Sequence, residues 1–149
     1  MGKTKLAVLV TLVAAAVLAA TAAVASTNKS PSISLRTTKV GKVLVAANGR
    51  TLYLFTADKH KRSACYGQCT KYWPPLIGAK PTVGTGLKAS LVGTTKRKGG
   101  KLQVTYGGHP LYVFAQDNMA GDLNGQGFVH FGGAWWVVSA AGKKIAVKP

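Results

Sequence analysis

Two stretches of the chain are near-copies of each other in the order of their hydrophobic and polar residues. Both stretches carry the pattern Leu-Tyr-x-Phe-x-x-Asp, and Tyr112 follows Tyr53 by 59 positions, as Asp117 follows Asp58. Residues 101–106, just before the second copy, alternate apolar and polar residues, which is typical of a β-strand, whereas the 3.6-residue period of a helix is almost absent from the chain. We therefore interpret the chain as an internal duplication of one β unit.

Turn residues divide the two copies into hairpins. Residues 42–55 place Asn48-Gly49 between two apolar runs, and this pair favours a type I′ turn. Residues 101–115 place Gly107-Gly108 at the equivalent point, and a third hairpin is predicted at residues 134–148. The sequence therefore predicts a mainly β fold, in which antiparallel hairpins from two tandem repeats pack as one compact domain with one or two short helices.

The motif strands are apolar on both faces. Leu52 and Leu54 share one face of the first strand, and Tyr53 lies on the other. Strands of this kind are typically covered on two sides. The helical candidates are residues 65–72 and 87–91. We interpret the repeated motif as structural, with its side chains at Tyr53, Phe55, Asp58, Tyr112, Phe114 and Asp117.

The first 25 residues have the features of an export signal. Lys3 and Lys5 precede an apolar run at residues 6–20, and Ala23-Val24-Ala25 is a small-x-small cleavage site. We expect a signal peptide at residues 1–25, cleaved after Ala25, and a secreted or extracytoplasmic protein of the cell envelope. The alternative is that the segment is retained as an anchor. A lipid anchor would need a cysteine just after the apolar run, and none lies there, so lipidation is not expected.

Removal of 25 of the 149 residues leaves 124, which is enough for one compact domain. Residues 26–39 are rich in Ser, Thr, Pro and Lys, and they are predicted to be a flexible leader. Residues 40–149 are predicted to form the two-repeat β domain. The first repeat is expected at about 40–98 and the second at about 99–149.

The chain is strongly basic, with 20 Lys and Arg residues against 3 acidic residues and a formal net charge of +17. Such a surface attracts polyanions, which outside the membrane are anionic cell-wall polymers or a membrane surface. No nucleic-acid-binding motif is present, so nucleic acid is not an expected partner, and no specific protein partner can be inferred. The alternative is that the charges only keep the protein soluble. The residues expected to bind polyanions are Lys59, Lys61, Arg62, Lys96, Arg97, Lys98 and Lys101.

Asp58 and Asp117 each lie three residues past the motif phenylalanine, where a strand gives way to a loop. A carboxylate at such a position accepts backbone N–H bonds and closes a turn. The alternative is a hydrolase in which the two carboxylates converge as an acid/base pair. Asp122 is the only other acidic residue, so the chain offers few groups for such chemistry. We expect no catalytic residues and no enzyme activity.

Cys65 and Cys69 are the only cysteines. In an oxidising compartment we expect them to form a disulfide, because helical positions i and i+4 lie within bridging distance. The alternative is an extracytoplasmic copper-binding or redox accessory protein, in which the two thiolates hold Cu(I). The further ligands would come from His60, His109, His130 or Met119. Since the histidines are scattered, we expect no metal site and no cofactor.

Three motifs together resemble a known family. They are the duplicated Leu-Tyr-x-Phe-x-x-Asp, the segment Cys-Tyr-Gly-Gln-Cys…Trp-Pro-Pro-Leu that starts at Cys65, and the segment Asn-Gly-Gln-Gly…Phe-Gly-Gly-Ala-Trp-Trp that ends at Trp136. They are similar to the secreted-repeat family of predicted bacterial lipoproteins with the Tyr-x-(Phe/Trp/Tyr)-x-x-Asp motif. The resemblance implies a secreted or envelope-attached protein of unknown function. We therefore expect a non-enzymatic exported envelope protein whose basic surface associates with anionic envelope polymers.

Overall fold

The structure of the protein is a computed structural model that describes Gly2 and residues 30–147. Apart from Gly2, the predicted signal peptide lies outside the described residues. The described chain is mainly β, which confirms the predicted fold class, and none of its helices has the length and apolar character of a membrane span. Its elements are, in chain order, β1 (Ser32–Thr38), β2 (Gly41–Ala46), β3 (Tyr53–Phe55), α1 (Cys69–Tyr72), β4 (Thr82–Val83), a 3₁₀ helix (Ala89–Leu91), β5 (Val92–Lys96), β6 (Leu102–Tyr106), β7 (His109–Pro110), β8 (Phe128–His130) and β9 (Gly133–Val137).

Each repeat begins with a pair of antiparallel strands. β1 pairs with β2 from Ile33 to Thr38, and β5 pairs with β6 from Val92 to Lys96. The predicted flexible leader at residues 26–39 is therefore wrong for residues 32–38, because these form β1 and bury Ile33, which is 1% exposed. The boundary between the repeats lies earlier than the expected position near residue 98. β5 is the counterpart of β1, so the second repeat begins with β5 at Val92.

The predicted hairpins form, but the first turn differs from the expected type. The Gly49 N–H donates to the Ala46 carbonyl (2.8 Å), and the Ala46 N–H donates to the Arg50 carbonyl (2.9 Å). This turn has three residues, and only Gly49 lies in the left-handed region, with φ of 79°. The Asn48 side chain instead accepts the Arg50 N–H (3.1 Å), so the predicted type I′ turn at Asn48-Gly49 is wrong. Gly107-Gly108 does form a two-residue turn, with φ of 59° and 81°.

The two repeats exchange the segments that carry their tryptophans. β9, which contains Trp135, belongs to the second repeat but pairs with β3 of the first. Conversely, residues 74–78 follow Trp73 of the first repeat and pair with the second, where the Leu76 N–H donates to the Leu111 carbonyl (2.9 Å). Each repeat thus completes the sheet of the other, which explains why the two form one compact body.

Four aromatic rings stack at the centre of the molecule. The order is Phe55, Trp135, Trp73 and Phe114, with successive ring centroids 4.0, 3.9 and 4.3 Å apart. The first and third rings come from the first repeat, and the second and fourth come from the second repeat. All four side chains are at most 2% exposed. Burial of such large rings dominates the stability of a small domain, so this stack joins the repeats through apolar contact.

The motif strands are covered on both faces, as predicted. Tyr53 and Phe55 lie in the core that contains the ring stack, whereas Leu52 and Leu54 lie in a second core on the other face. The second core also contains Ile33 of β1, which explains why the predicted leader is ordered. Its other buried members are Leu44, Ala46, Val104, Tyr106, Leu111 and Val138.

Glycines lie where the backbone passes close to the stacked rings. A Cβ atom at Gly133 would lie 2.7 Å from a ring carbon of Phe55, and one at Gly125 would lie 2.6 Å from a ring carbon of Trp73. Real Cβ atoms do not approach other atoms so closely, so a side chain at either position would displace the ring or the backbone. Gly133 therefore allows β9 to pass directly beside the Phe55 ring, and Gly125 allows the preceding loop to pass beside Trp73.

Candidate functional site

The motif tyrosines lie at the centre of the repeat arrangement. The Tyr53 N–H donates to the Tyr112 carbonyl (2.8 Å), and the Tyr112 N–H donates to the Tyr53 carbonyl (3.0 Å). Neither side chain is exposed to solvent. These two reciprocal hydrogen bonds place equivalent residues of the two repeats side by side, which is the arrangement expected around a local twofold axis.

Each tyrosine hydroxyl reaches across to the aspartate of the other repeat. The Tyr53 hydroxyl donates to Asp117 Oδ2 (2.7 Å), and the Tyr112 hydroxyl donates to Asp58 Oδ2 (2.9 Å). The other oxygen of each carboxylate accepts a backbone N–H of its own loop, from Asn124 at 3.0 Å for Asp117 and from Ala64 at 2.7 Å for Asp58. The two aspartates, proposed above as the pair of a hydrolase, thus accept hydrogen bonds from two different tyrosines and two different loops.

Burial shifts the pKa values of these four side chains upward. Burial raises the pKa of Asp58 to about 6, against the opposing effect of the Ala64 N–H and the Tyr112 hydroxyl. Burial also raises the pKa of Asp117. The pKa values of Tyr53 and Tyr112 lie above the ordinary tyrosine value because of burial and the adjacent carboxylates. Both phenols therefore keep their protons and act as hydrogen-bond donors at neutral pH.

The predicted disulfide between Cys65 and Cys69 is confirmed, with the two Cα atoms 5.3 Å apart. Cys69 begins α1, and its carbonyl accepts the Trp73 N–H (2.8 Å). Both cysteines are almost completely buried in the core around the ring stack. The disulfide therefore fixes the loop that precedes Trp73, and neither sulfur is free as a thiolate for Cu(I).

Arg97 differs from the other cations that the sequence analysis grouped with it, because it is only 8% exposed. Its guanidinium donates to the Cys65 carbonyl (2.6 Å), Ser63 Oγ (2.9 Å) and Gln103 Oε1 (2.6 Å). The Tyr112 hydroxyl lies 2.7 Å from the same Ser63 Oγ. Arg97 is therefore built into the protein, and the expectation that it is a surface residue is wrong. The three oxygens that accept hydrogen bonds from its charged guanidinium are all neutral.

A cavity of about 500 Å³ opens above Arg97 and is referred to here as the Tyr66 cleft. The Arg97 guanidinium carbon lies 4.4 Å from the centroid of the Tyr66 ring, and Lys98 Nζ lies 4.9 Å from it. The Lys98 N–H also donates to the Tyr66 hydroxyl (3.3 Å). No acidic side chain is among the cleft residues, which are Arg62, Ser63, Tyr66, Thr94, Thr95, Lys96, Arg97 and Lys98.

The structure divides the predicted polyanion-binding residues into two groups. Four line the Tyr66 cleft, namely Arg62, Lys96, Lys98 and the buried Arg97, whereas Lys59, Lys61 and Lys101 are exposed but are not among its lining residues. Ser63 and Tyr66 also line the cleft, although neither was predicted from the sequence as a site residue. Tyr66 lies between the two cysteines, and its position in the sequence gave no indication that β5 would pass beside it.

A strained turn precedes the cleft. His60 and Lys61 have φ of 53° and 62°, and the Arg62 N–H donates to the Lys59 carbonyl (2.9 Å) across them. Two successive left-handed residues are typical of a type I′ turn, which usually contains Asn and Gly. Side chains with a Cβ are disfavoured in this region by roughly 1 kcal/mol or more each. This turn is therefore conformationally unfavourable, and it positions Arg62 at the cleft.

His130 and Asp122, the third aspartate, lie in different environments. Within residues 30–147, no group of three or more His, Cys, Asp or Glu side chains is placed to hold a metal ion. His130 stacks on Phe131, with ring centroids 3.9 Å apart. Asp122 Oδ2 accepts the N–H groups of Asn118 (2.9 Å) and Met119 (2.8 Å), and it therefore closes its own glycine-rich loop.

Two segments of the chain match one family model, which describes a secreted repeat of unknown function. The segments are residues 34–77 and 93–139, and they begin 59 positions apart, as the motif tyrosines do. Together they cover more than half of the chain. They also begin in β1 and β5, in agreement with the repeat boundaries seen in the fold. No curated protein and no solved structure matches the chain.

Proposed function

We propose that this chain, which belongs to the family of secreted repeats of unknown function, is a non-enzymatic protein that binds anionic polymers of the cell envelope in the Tyr66 cleft. One observation carries the proposal. Arg62, Lys96 and Lys98 line a single cleft over a buried guanidinium, and no acidic residue lines it with them.

The electrostatics of the cleft favour an anionic ligand. The Arg97 guanidinium donates to three neutral oxygens, and Asp58, whose carboxylate interacts with the Arg97 charge, does not line the cleft. Each exposed cation that contacts an anionic surface contributes on the order of 1 kcal/mol. Three of them next to a buried guanidinium fit a chain of phosphate or carboxylate groups better than a single small ion.

The strained turn before Arg62 supports the same interpretation. Non-glycine residues in the left-handed region persist where the surrounding structure requires them, and they cluster at functional sites. Here His60 and Lys61 occupy a turn that Asn and Gly would adopt at lower cost. The two strained residues do not line the cleft themselves, but the turn that they form positions Arg62, which does.

The test is binding of the chain from Ser30 onward to immobilised polyphosphate and to insoluble cell-wall material. The variant combines Arg62→Ala, Lys96→Ala and Lys98→Ala. The matched control combines Lys42→Ala, Lys80→Ala and Lys88→Ala, three exposed lysines outside the cleft, so that both variants lose three positive charges. We expect the cleft variant to lose roughly a hundredfold in affinity and the control to lose less than about fivefold.

Equal losses in the two variants would show that binding depends on overall charge and not on the cleft. Salt gives a second readout, because exposed charges are screened within about 8 Å at physiological ionic strength. Retention on the wall material that does not change between low and high salt would contradict the proposal. Thiol titration addresses the copper alternative: we expect thiols to appear only after the disulfide has been reduced and the chain unfolded.

A further inference from the structure

An exposed aromatic surface lies at the end of the molecule formed by β8, the β8–β9 turn and α1. Its exposed residues are Tyr72, Phe128, Val129 and His130; Phe131 is half-buried beside them, and we refer to all five as the aromatic tip. Val129 is 75% exposed, and Phe128 and Tyr72 are each 44% exposed. The His130 ring lies 6.1 Å from both Tyr72 and Phe128, centroid to centroid. Large apolar groups concentrated on one surface commonly mark an interaction site.

The aromatic tip packs against the central ring stack. The Phe128 ring lies 5.8 Å from Phe114 and 6.4 Å from Trp73, so it rests on the central ring stack. Phe131 and Gly132 form the two-residue turn between β8 and β9, and Phe131 has φ of 57°. A bulky aromatic residue in the left-handed region is a genuine outlier. Phe131 therefore adopts this conformation at a cost, and its ring, which is only partly exposed, packs against the core around the ring stack.

We propose that the aromatic tip inserts into the interface of an anionic phospholipid bilayer. β8 is the edge strand of its sheet, and all three of its residues are exposed. Side chains of a strand alternate between its faces, so Phe128 projects from one face and Val129 from the other. A lipid interface can surround both faces of such a hairpin, whereas a flat glycan or a protein groove would cover one face.

Charge complementarity identifies the lipid as anionic. The chain carries a formal net charge of +17, and its three acidic side chains all accept hydrogen bonds from the protein itself. The exposed Lys71 immediately precedes Tyr72 in α1. Aromatic rings with polar edges prefer the headgroup region, and basic residues beside them add attraction to anionic lipids. This surface is separate from the Tyr66 cleft, and the inference does not depend on the proposed polymer binding.

The test is sedimentation of the chain from Ser30 onward, which retains all described strands, with phosphatidylcholine vesicles that contain or lack phosphatidylglycerol, an anionic lipid that gives the membrane a negative surface potential. Val129→Asp adds a charge to the tip. Met119→Asp is the matched control, because Met119 is 72% exposed and lies outside the tip. Val129→Thr removes the apolar contact and retains the β-branched shape.

We expect the unmodified protein to bind the anionic vesicles, with a loss of about tenfold in Val129→Asp, a smaller loss in Val129→Thr and less than twofold in Met119→Asp. A Phe131→Trp variant should be quenched by brominated lipid. Equal binding of Val129→Asp and Met119→Asp, or an absence of quenching at position 131, would overturn the inference and leave charge as the only attraction. A loss of binding to cell-wall polymer, and not to vesicles, in Val129→Asp would overturn it as well.

Discussion

The crossed tyrosine and aspartate pairs give the sharpest test of the fold. Tyr53→Phe removes the hydroxyl that donates to Asp117, whose side chain is only 3% exposed. Hydrogen bonds to charged groups contribute about 1.5–3 kcal/mol. A buried carboxylate that loses such a bond keeps the cost of its desolvation without that compensation. We expect Tyr53→Phe to lower the free energy of unfolding by about 2 kcal/mol. The corresponding fall in Tm is roughly 8 °C for a domain of this size.

A double-mutant cycle distinguishes the crossed arrangement from any arrangement within one repeat. Tyr53→Phe combined with Asp117→Ala should show a coupling energy of about 1–2 kcal/mol, because the two side chains share a hydrogen bond. Tyr53→Phe combined with Asp58→Ala, the aspartate of the same repeat, should couple by less than about 0.5 kcal/mol. Urea unfolding followed by the fluorescence of the buried Trp73 and Trp135 supplies the energies. Stronger coupling of Tyr53 to Asp58 than to Asp117 would refute the reasoning.

Three further predictions follow from the same structure. Gly133→Ala should destabilise the protein by about 1–3 kcal/mol in urea unfolding, because the new Cβ would lie 2.7 Å from the Phe55 ring. The folded state keeps the proton of Asp58 up to about pH 6, against 3.8 for an ordinary aspartate, so it holds more protons than the unfolded chain between these values. Stability should therefore fall as the pH rises from about 4 to 6, and Asp58→Asn should reduce this slope; a rise in the urea midpoint over that range would contradict the assignment. The pair His60→Asn and Lys61→Gly should raise the free energy of unfolding by about 1–2 kcal/mol, since it relieves the left-handed strain, and an unchanged Tm would show that the turn is not strained.

Local sequence was sufficient to predict the hairpins. The short apolar run in β2, the alternation in β6 and the glycines at 49 and 107–108 determine where strands end and turns begin. The exact turn type at Asn48 was not predictable in the same way, because both a two-residue and a three-residue turn accept a glycine at position 49. Which one forms depends on the register of the strands, and register is a property of their pairing.

Long-range pairing accounts for what the sequence did not indicate. The composition of residues 26–39 is that of a flexible segment, yet β1 forms because β2 and β4 offer it hydrogen-bonding partners on both sides. Arg97 is adjacent to two other basic residues in the sequence, and its burial depends on oxygens of Ser63 and Cys65, more than 30 positions away. The disulfide is predictable because its two residues are close in sequence, whereas the cleft that it supports is not.

The crossing of the repeats gives a physical reason for the spacing of Tyr-x-Phe-x-x-Asp. Tyr and Phe, two positions apart on a strand, point into the same core, where the phenylalanine joins the ring stack. The next residues form a tight turn, in which the Asp58 N–H donates to the Phe55 carbonyl (3.1 Å), and this turn directs the carboxylate back toward the tyrosine of the other repeat. A single copy would contain a buried phenol and a buried carboxylate that cannot reach each other, together with half of a ring stack. The motif therefore stabilises the structure only when two copies meet, which explains why this domain contains both.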